Sequence, residues 1–279
     1  MKRRVLTVGF VVVIAVSVHA FEFVASSAVS SGGAVQLSAP GPGDLLNLPI
    51  GAPSGSWWRV ETGLGRCYDL RDFDQVFAAG GYRKGALTFA LGYSQFGHAD
   101  LYAEKLLKGS VALQRNAWSI GVSSSLMSLG FGGGYRGLNA TAFGLAGGWT
   151  HRQWQFAASV DDLNSPSFTD NDPSRPPRLS LHTEYLSGKS YSLLGRLTMQ
   201  KDESARIGAG QRILLKSSSA ILWGFTTAPF TFGGGIELGL KAGRLTYSAN
   251  YHPVLGLTQL ISVSYGVKEK RPEVPDGLR

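Results

Sequence analysis

A period of two, repeated along most of the chain, limits what this sequence can fold into more than any other feature. Leu87, Phe89, Leu91 and Tyr93 alternate with Thr88, Ala90, Gly92 and Ser94. The same alternation runs through Trp154–Asp161, Leu245–His252 and Ile261–Val267. Successive side chains of an extended chain point to opposite faces, so each run has one apolar face and one polar or small face. Such runs begin near Trp57, Phe73, Ala86, Leu106, Ala117, Ala140, Gln153, Arg178, Tyr191, Ala205, Ser219, Thr231, Leu245 and Leu260. Each approaches the ~9–11 residues that carry a tilted strand across a bilayer, and an even number of strands closes a barrel. The fold expected is all-β: a transmembrane antiparallel barrel of about 14 strands.

Composition agrees with a chain that turns half its side chains toward lipid. Only 16% of the 279 residues are charged, against ~25% in an average soluble domain. At 43% hydrophobic and 11% aromatic the chain is too apolar for disorder. Its 37 glycines follow no three-residue period, and Cys67 has no second cysteine to pair with. The connections are expected to alternate in length, as they do when short turns face the periplasm and longer loops the exterior. Those at 83–85, 115–116, 151–152, 187–189, 216–218 and 241–243 read as short. Those at 65–72, 96–105, 128–139, 161–177 and 252–259 read as longer, with 201–203 the exception. Trp57, Trp58, Trp118, Trp149, Trp154, Tyr93, Tyr185, Tyr191 and Tyr265 fall mostly near strand ends, where interfacial aromatic girdles form.

The N-terminus carries the marks of export. Lys2-Arg3-Arg4 precedes an almost unbroken apolar run, Val5–Val18, and Val18-His19-Ala20 has the form that signal peptidase reads. The run is shorter than the ~20 residues of a membrane-spanning helix. Residues 1–20 are therefore expected to be a Sec signal peptide cleaved after Ala20, with the mature chain bound for the outer membrane. Cleavage leaves 24 basic and 19 acidic residues, and their dispersal argues against nucleic-acid binding. The expected layout continues with an irregular N-terminal plug or periplasmic segment (21–56), the barrel (57–268) and a periplasmic tail (269–279).

Charges and polar groups out of phase with the apolar set are candidates for the barrel interior. They are Arg59, Glu61, Lys108, Asp161, His182, Glu184, Arg196, Arg206, Arg212, Glu237 and Asn250. Arg or Lys facing the bilayer midplane costs ~2–4 kcal/mol, so these should face inward. Their mixed signs disfavour a simple ion-selective ring. His182 and Glu184 share one strand face, yet no Gly-x-Ser-x-Gly elbow supplies a nucleophile, so no enzyme is expected. The histidines and the lone cysteine lack metal-ligand spacing, and no cofactor is expected. Gly132-Gly133-Gly134-Tyr135-Arg136-Gly137 matches a dinucleotide-binding expression but leads into a strand rather than a helix. Leu45, Leu46, Leu48, Pro49 and Ile50 are apolar residues in a stretch too short for its own core, so they should dock inside or across the periplasmic mouth. Burial of each Leu or Ile is worth ~1.5–3 kcal/mol.

Three short segments carry a family resemblance. Asp44-Leu45-Leu46-Asn47-Leu48-Pro49-Ile50-Gly51 resembles the Asn-Pro-Ala-Gly-like stretch before the first strand of the fatty-acid-transporter (FadL-like) barrels and the related PorV/PorQ proteins of secretion. Val160-Asp161-Asp162-Leu163-Asn164 resembles a mid-chain strand end of those proteins. His252–Tyr265 is similar to their closing strand, with Gln259 where that pattern has His and Leu48-Pro49 where Pro-Ala is usual. The resemblance implies a fourteen-stranded barrel with its N-terminal segment folded into the lumen. It also implies either passage of hydrophobic small molecules across the outer membrane or service as a non-transporting barrel partner of a secretion or envelope complex. The partners so implied are outer-membrane lipid, a hydrophobic ligand, and secretion or envelope proteins.

Overall fold

The computed structural model describes residues 36–51, 56–98, 100–133, 137–169, 174–188, 190–215 and 219–266. The signal peptide and the C-terminal tail expected from sequence lie outside them. Fourteen strands close into one antiparallel barrel in which each pairs with its chain neighbours and β1 pairs with β14. The first four are β1 (Trp57–Arg66), β2 (Asp74–Lys84), β3 (Leu87–His98) and β4 (Tyr102–Arg115). Then come β5 (Trp118–Phe131), β6 (Leu138–His151), β7 (Trp154–Asp161), β8 (Arg178–Ser187) and β9 (Tyr191–Gln200). The circuit ends with β10 (Arg206–Leu214), β11 (Ala220–Thr227), β12 (Phe230–Gly239), β13 (Gly243–His252) and β14 (Gly256–Gly266). Closure leaves no unpaired edge.

The two faces of the wall separate by parity. Leu91 is 61% exposed and Ile261 53%, whereas Ala90 and Ser262 beside them are 6% and 3%. Outward positions are mostly Leu, Ile, Val and aromatic residues; inward positions are small, polar or charged. Trp57 departs from the girdle expected for it: it is buried and joins the inward cluster, while Trp58 next to it faces out and meets Tyr265 at 5.5 Å.

Several strands run further than hydropathy suggested. β4 begins at Tyr102 rather than Leu106, and β14 at Gly256 rather than Leu260. The backbone ladder continues past the apolar stretch: His98 pairs with Tyr102 and His252 with Gly256. Extended pairing satisfies peptide groups that an open loop would leave to water. Leu101 N donates to the His98 carbonyl at 3.0 Å, the turn at 253–255 is similarly tight, and the alternation in loop length is weaker than expected. At one rim the turns after β2, β4, β6 and β8 carry Gly85, Asn116, Arg152 and Gly188 in the left-handed region.

Residues 21–56 were read as irregular, but a short helix, α1 (Pro42–Asn47), lies within them. Pro42 presets the first turn, and Asp44 Oδ2 accepts a hydrogen bond from Gly41 N at 2.9 Å. Six residues are too few to leave a readable helical period.

Candidate functional site

The inward face and the 36–51 segment make up the candidate site. Leu45 and Leu46 join one buried cluster with Trp57, Phe77, Ala90, Leu106, Met127, Ala142 and Leu260, drawn from β1 through β6 and β14. Leu37, Leu48 and Ile50 form a second cluster with Ala146 and Ala157. Pro49 is also fully buried. Ser110 Oγ on β4 donates to the Leu45 carbonyl at 2.9 Å. The wall is shaped for this approach: a Cβ at Gly121 would collide with the Pro49 carbonyl oxygen.

Glu184 on β8 anchors the other end of the segment. One carboxylate oxygen accepts from Leu37 N and Ser38 N, each at 2.7 Å, and the other accepts from Ser38 Oγ at 2.9 Å. Three donors on one buried carboxylate offset much of its desolvation. His182 is buried two residues before it on the same face. Glu61 is buried beside the turn into α1, where a Cβ on Gly41 would lie 3.1 Å from Glu61 Oε2.

Two ion-pair nodes occupy the same interior. Glu237 on β12 takes Arg212 of β10 through Nη2 at 2.7 Å and Nε at 3.2 Å, and Arg244 of β13 at 3.4 Å. Arg59 adds to the positive field there. Asp161 on β7 takes Lys108 of β4 at 3.3 Å and Arg178 of β8 at 3.6 Å, while Asp162 next to it pairs with Arg175 at 3.1 Å. Arg206 reaches Glu203 at 3.7 Å near the rim. Asn250 donates to Thr231 Oγ1 at 3.4 Å, and Arg196 is half-buried on the inward face of β9.

Sequence reasoning missed several charged members of this interior, Arg178, Arg244 and Glu104 among them. Arg178 and Arg244 stand at or beside strand starts, where a period of two has barely begun. Glu104 was lost because β4 was expected to begin after it. Arg244 was within reach, since it keeps phase with Thr246, Ser248 and Asn250.

In the connection after β1, burial with help from the Asp74 charge pushes the Cys67 thiol up to about 12. A thiol so held is a poor nucleophile. Among the described residues no three His, Cys, Asp or Glu side chains converge as a metal cluster would require.

No protein-family model and no curated protein matches this sequence. Solved structures do. One described as the TodX monoaromatic hydrocarbon channel, in a deltaS2 mutant, superposes with a TM-score of 0.58 at 10% identity, over 88% of this chain and 98% of that one. A mutant of the Rh. blastica porin gives 0.46 at 8% identity, over 76% and 99%. The likeness is one of fold.

Proposed function

We propose that the chain is an outer-membrane channel for hydrophobic small molecules, gated by its own 36–51 segment. The observation that carries this reading is the segment's anchoring inside a closed barrel with an apolar exterior. Leu45 and Leu46 pack on inward residues of β1 through β6 and β14, and Glu184 ties the chain down through Leu37 and Ser38. The outward apolar band supports placement in a bilayer, because in water that much exposed apolar surface would drive association. An apolar cargo is supported by the fold shared with a protein described as a monoaromatic hydrocarbon channel and by the apolar lining that the segment covers.

The test is conductance and uptake in reconstituted bilayers. Deleting residues 36–51 should open a sustained conductance that the full chain lacks, and Glu184→Ala should produce intermittent openings. Proteoliposomes should take up an aromatic hydrocarbon faster than a sugar of similar size. Unaltered conductance on deletion would refute the gate. Equal exclusion of both solutes would leave the barrel as an anchoring partner, with the 162–177 connection as its contact surface.

A further inference from the structure

The two rims of the barrel differ in charge: one is purely basic where it is described, the other mixed. At the rim formed by the turns after β2, β4, β6 and β12, the described exposed charges are Lys84, Arg115, Arg152 and Lys241, with no carboxylate among them. The opposite rim exposes Asp69, Asp72, Asp100, Asp202 and Glu203 together with Arg66, Lys105 and Lys201. A basic rim beside an apolar belt is the arrangement that attracts anionic headgroups.

On this basic side the outer wall is notched. Gly147 of β6 pairs with Ala158 of β7, so two outward positions carry no more than a hydrogen and a methyl group. Taller neighbours surround them: Ile120 beside Gly147, the Leu145–Val160 pair toward mid-wall and the Trp149–Phe156 pair toward the rim. The result is an apolar groove of about 470 Å³ on the exterior, with Arg115 and Trp118 at its rim end. Its volume falls in the range of small-ligand sites. Arg115 stands directly opposite Trp118, which is 65% exposed, and no carboxylate among the described residues pairs with it. Trp118 stacks on Trp149 at 5.9 Å, and Trp149 stacks on Phe156 at 5.8 Å, giving the groove a rigid aromatic margin.

We propose that this groove seats one acyl chain of an anionic glycerophospholipid whose phosphate pairs with Arg115. The chain fits an apolar slot within the belt, and the headgroup then lies at a rim whose described exposed charges are all positive. A guanidinium offers the phosphate two parallel donors, and the indole of Trp118 sits at the depth where chain meets headgroup. This site rests on the membrane placement proposed above, but not on gating or cargo.

The experiment is native mass spectrometry of the full chain after exchange with vesicles of equimolar dioleoyl-phosphatidylglycerol and dioleoyl-phosphatidylcholine. One phosphatidylglycerol per barrel should be retained in preference to phosphatidylcholine by roughly tenfold, the worth of one charge-assisted contact. Arg115→Glu should erase that preference. Gly147→Leu should remove the bound lipid altogether; a Cβ there meets only the Ser119 carbonyl oxygen at 3.7 Å, so the wall accepts the substitution. Lys241→Glu, on the far side of the rim, should change nothing. Equal retention of the two lipids, persistence of the adduct in Gly147→Leu, or equal loss in Lys241→Glu would overturn the site. So would preferential retention of added lipopolysaccharide. Failure of the barrel to enter vesicles at all would instead strike the membrane placement.

Discussion

The two interior nodes each hold a carboxylate at ion-pair distance from two cations, and they differ in how deeply that carboxylate is buried. Glu237 is fully buried, and its partners Arg212 and Arg244 come from β10 and β13, close to it on the wall. Asp161 keeps 12% of its side chain exposed and stands near a rim, and Lys108 reaches it from β4 across the width of β5 and β6. That span is possible because the intervening inward residues are small: Ser123 and Ser125 on β5, Ala142 and Gly144 on β6. A Cβ at Gly144 would lie 3.2 Å from Asp161 Oδ1 and closer still to Ser123 Oγ. The Glu237 node therefore staples neighbouring strands, whereas the Asp161 node bridges a floor kept low for it. Removing a partner should cost more where water has no access, because the charges left behind cannot be resolvated.

The largest effect is expected for Glu237→Gln. It removes the carboxylate that Arg212 and Arg244 share, and breaking a buried pair costs ~3–5 kcal/mol. The urea midpoint for loss of the compact, heat-modifiable form should fall accordingly. A midpoint unchanged from wild type would mean that water reaches this node as freely as the other. Asp161→Asn should cost less, about 1–3 kcal/mol, the usual range for a hydrogen bond to a charged group. Arg178 opens β8 and keeps 14% of its side chain exposed, so solvent can take over part of the lost interaction there. If the two substitutions cost the same, the difference in burial is not what separates the nodes.

Gly144→Val tests the floor itself. Overpacking of this kind costs ~1–3 kcal/mol, and here the added atoms meet Ser123 and Asp161 directly. The signature would be non-additivity: once Asp161→Asn has removed the charge, Gly144→Val should cost less than it does in the wild-type background. Strict additivity would show that the small residues serve the wall and not the bridge.

The sequence made the faces legible but not the neighbours. A period of two assigns Lys108, Asp161, Arg212 and Glu237 to one side of the wall with no knowledge of the barrel. Which of them meet depends on register across several strands, because Glu237 lies opposite Ala220 and Thr246 while its ion partners sit diagonally. Diagonal reach follows from stagger and closure, and no local pattern encodes either. The 36–51 segment was legible as apolar residues needing burial. Its helix and its three hydrogen bonds to Glu184 were not, since those depend on a strand well over a hundred residues away. The glycines divide in the same way. Gly121 reads as an ordinary small inward residue until the Pro49 carbonyl is found against it.

The smallest effect is expected for Lys108→Met, and it sharpens the contrast most. Asp161 keeps Arg178 at 3.6 Å, so its charge is not stranded. The methionine retains an unbranched apolar stem of similar length, which can lie over Ser123, Ser125 and Ala142 as the lysine stem does. The cost should be about 1 kcal/mol, the net worth of one hydrogen bond whose acceptor keeps another partner. Arg212→Met at the other node is the matched comparison. There the bidentate contact at 2.7 and 3.2 Å is lost, and Arg244, at 3.4 Å, stays beside a carboxylate with no access to water. Denaturation midpoints of the two variants, measured side by side, should place Arg212→Met well below Lys108→Met. The reverse order would mean that the long bridge from β4 to β7, rather than the staple at Glu237, holds the barrel in register.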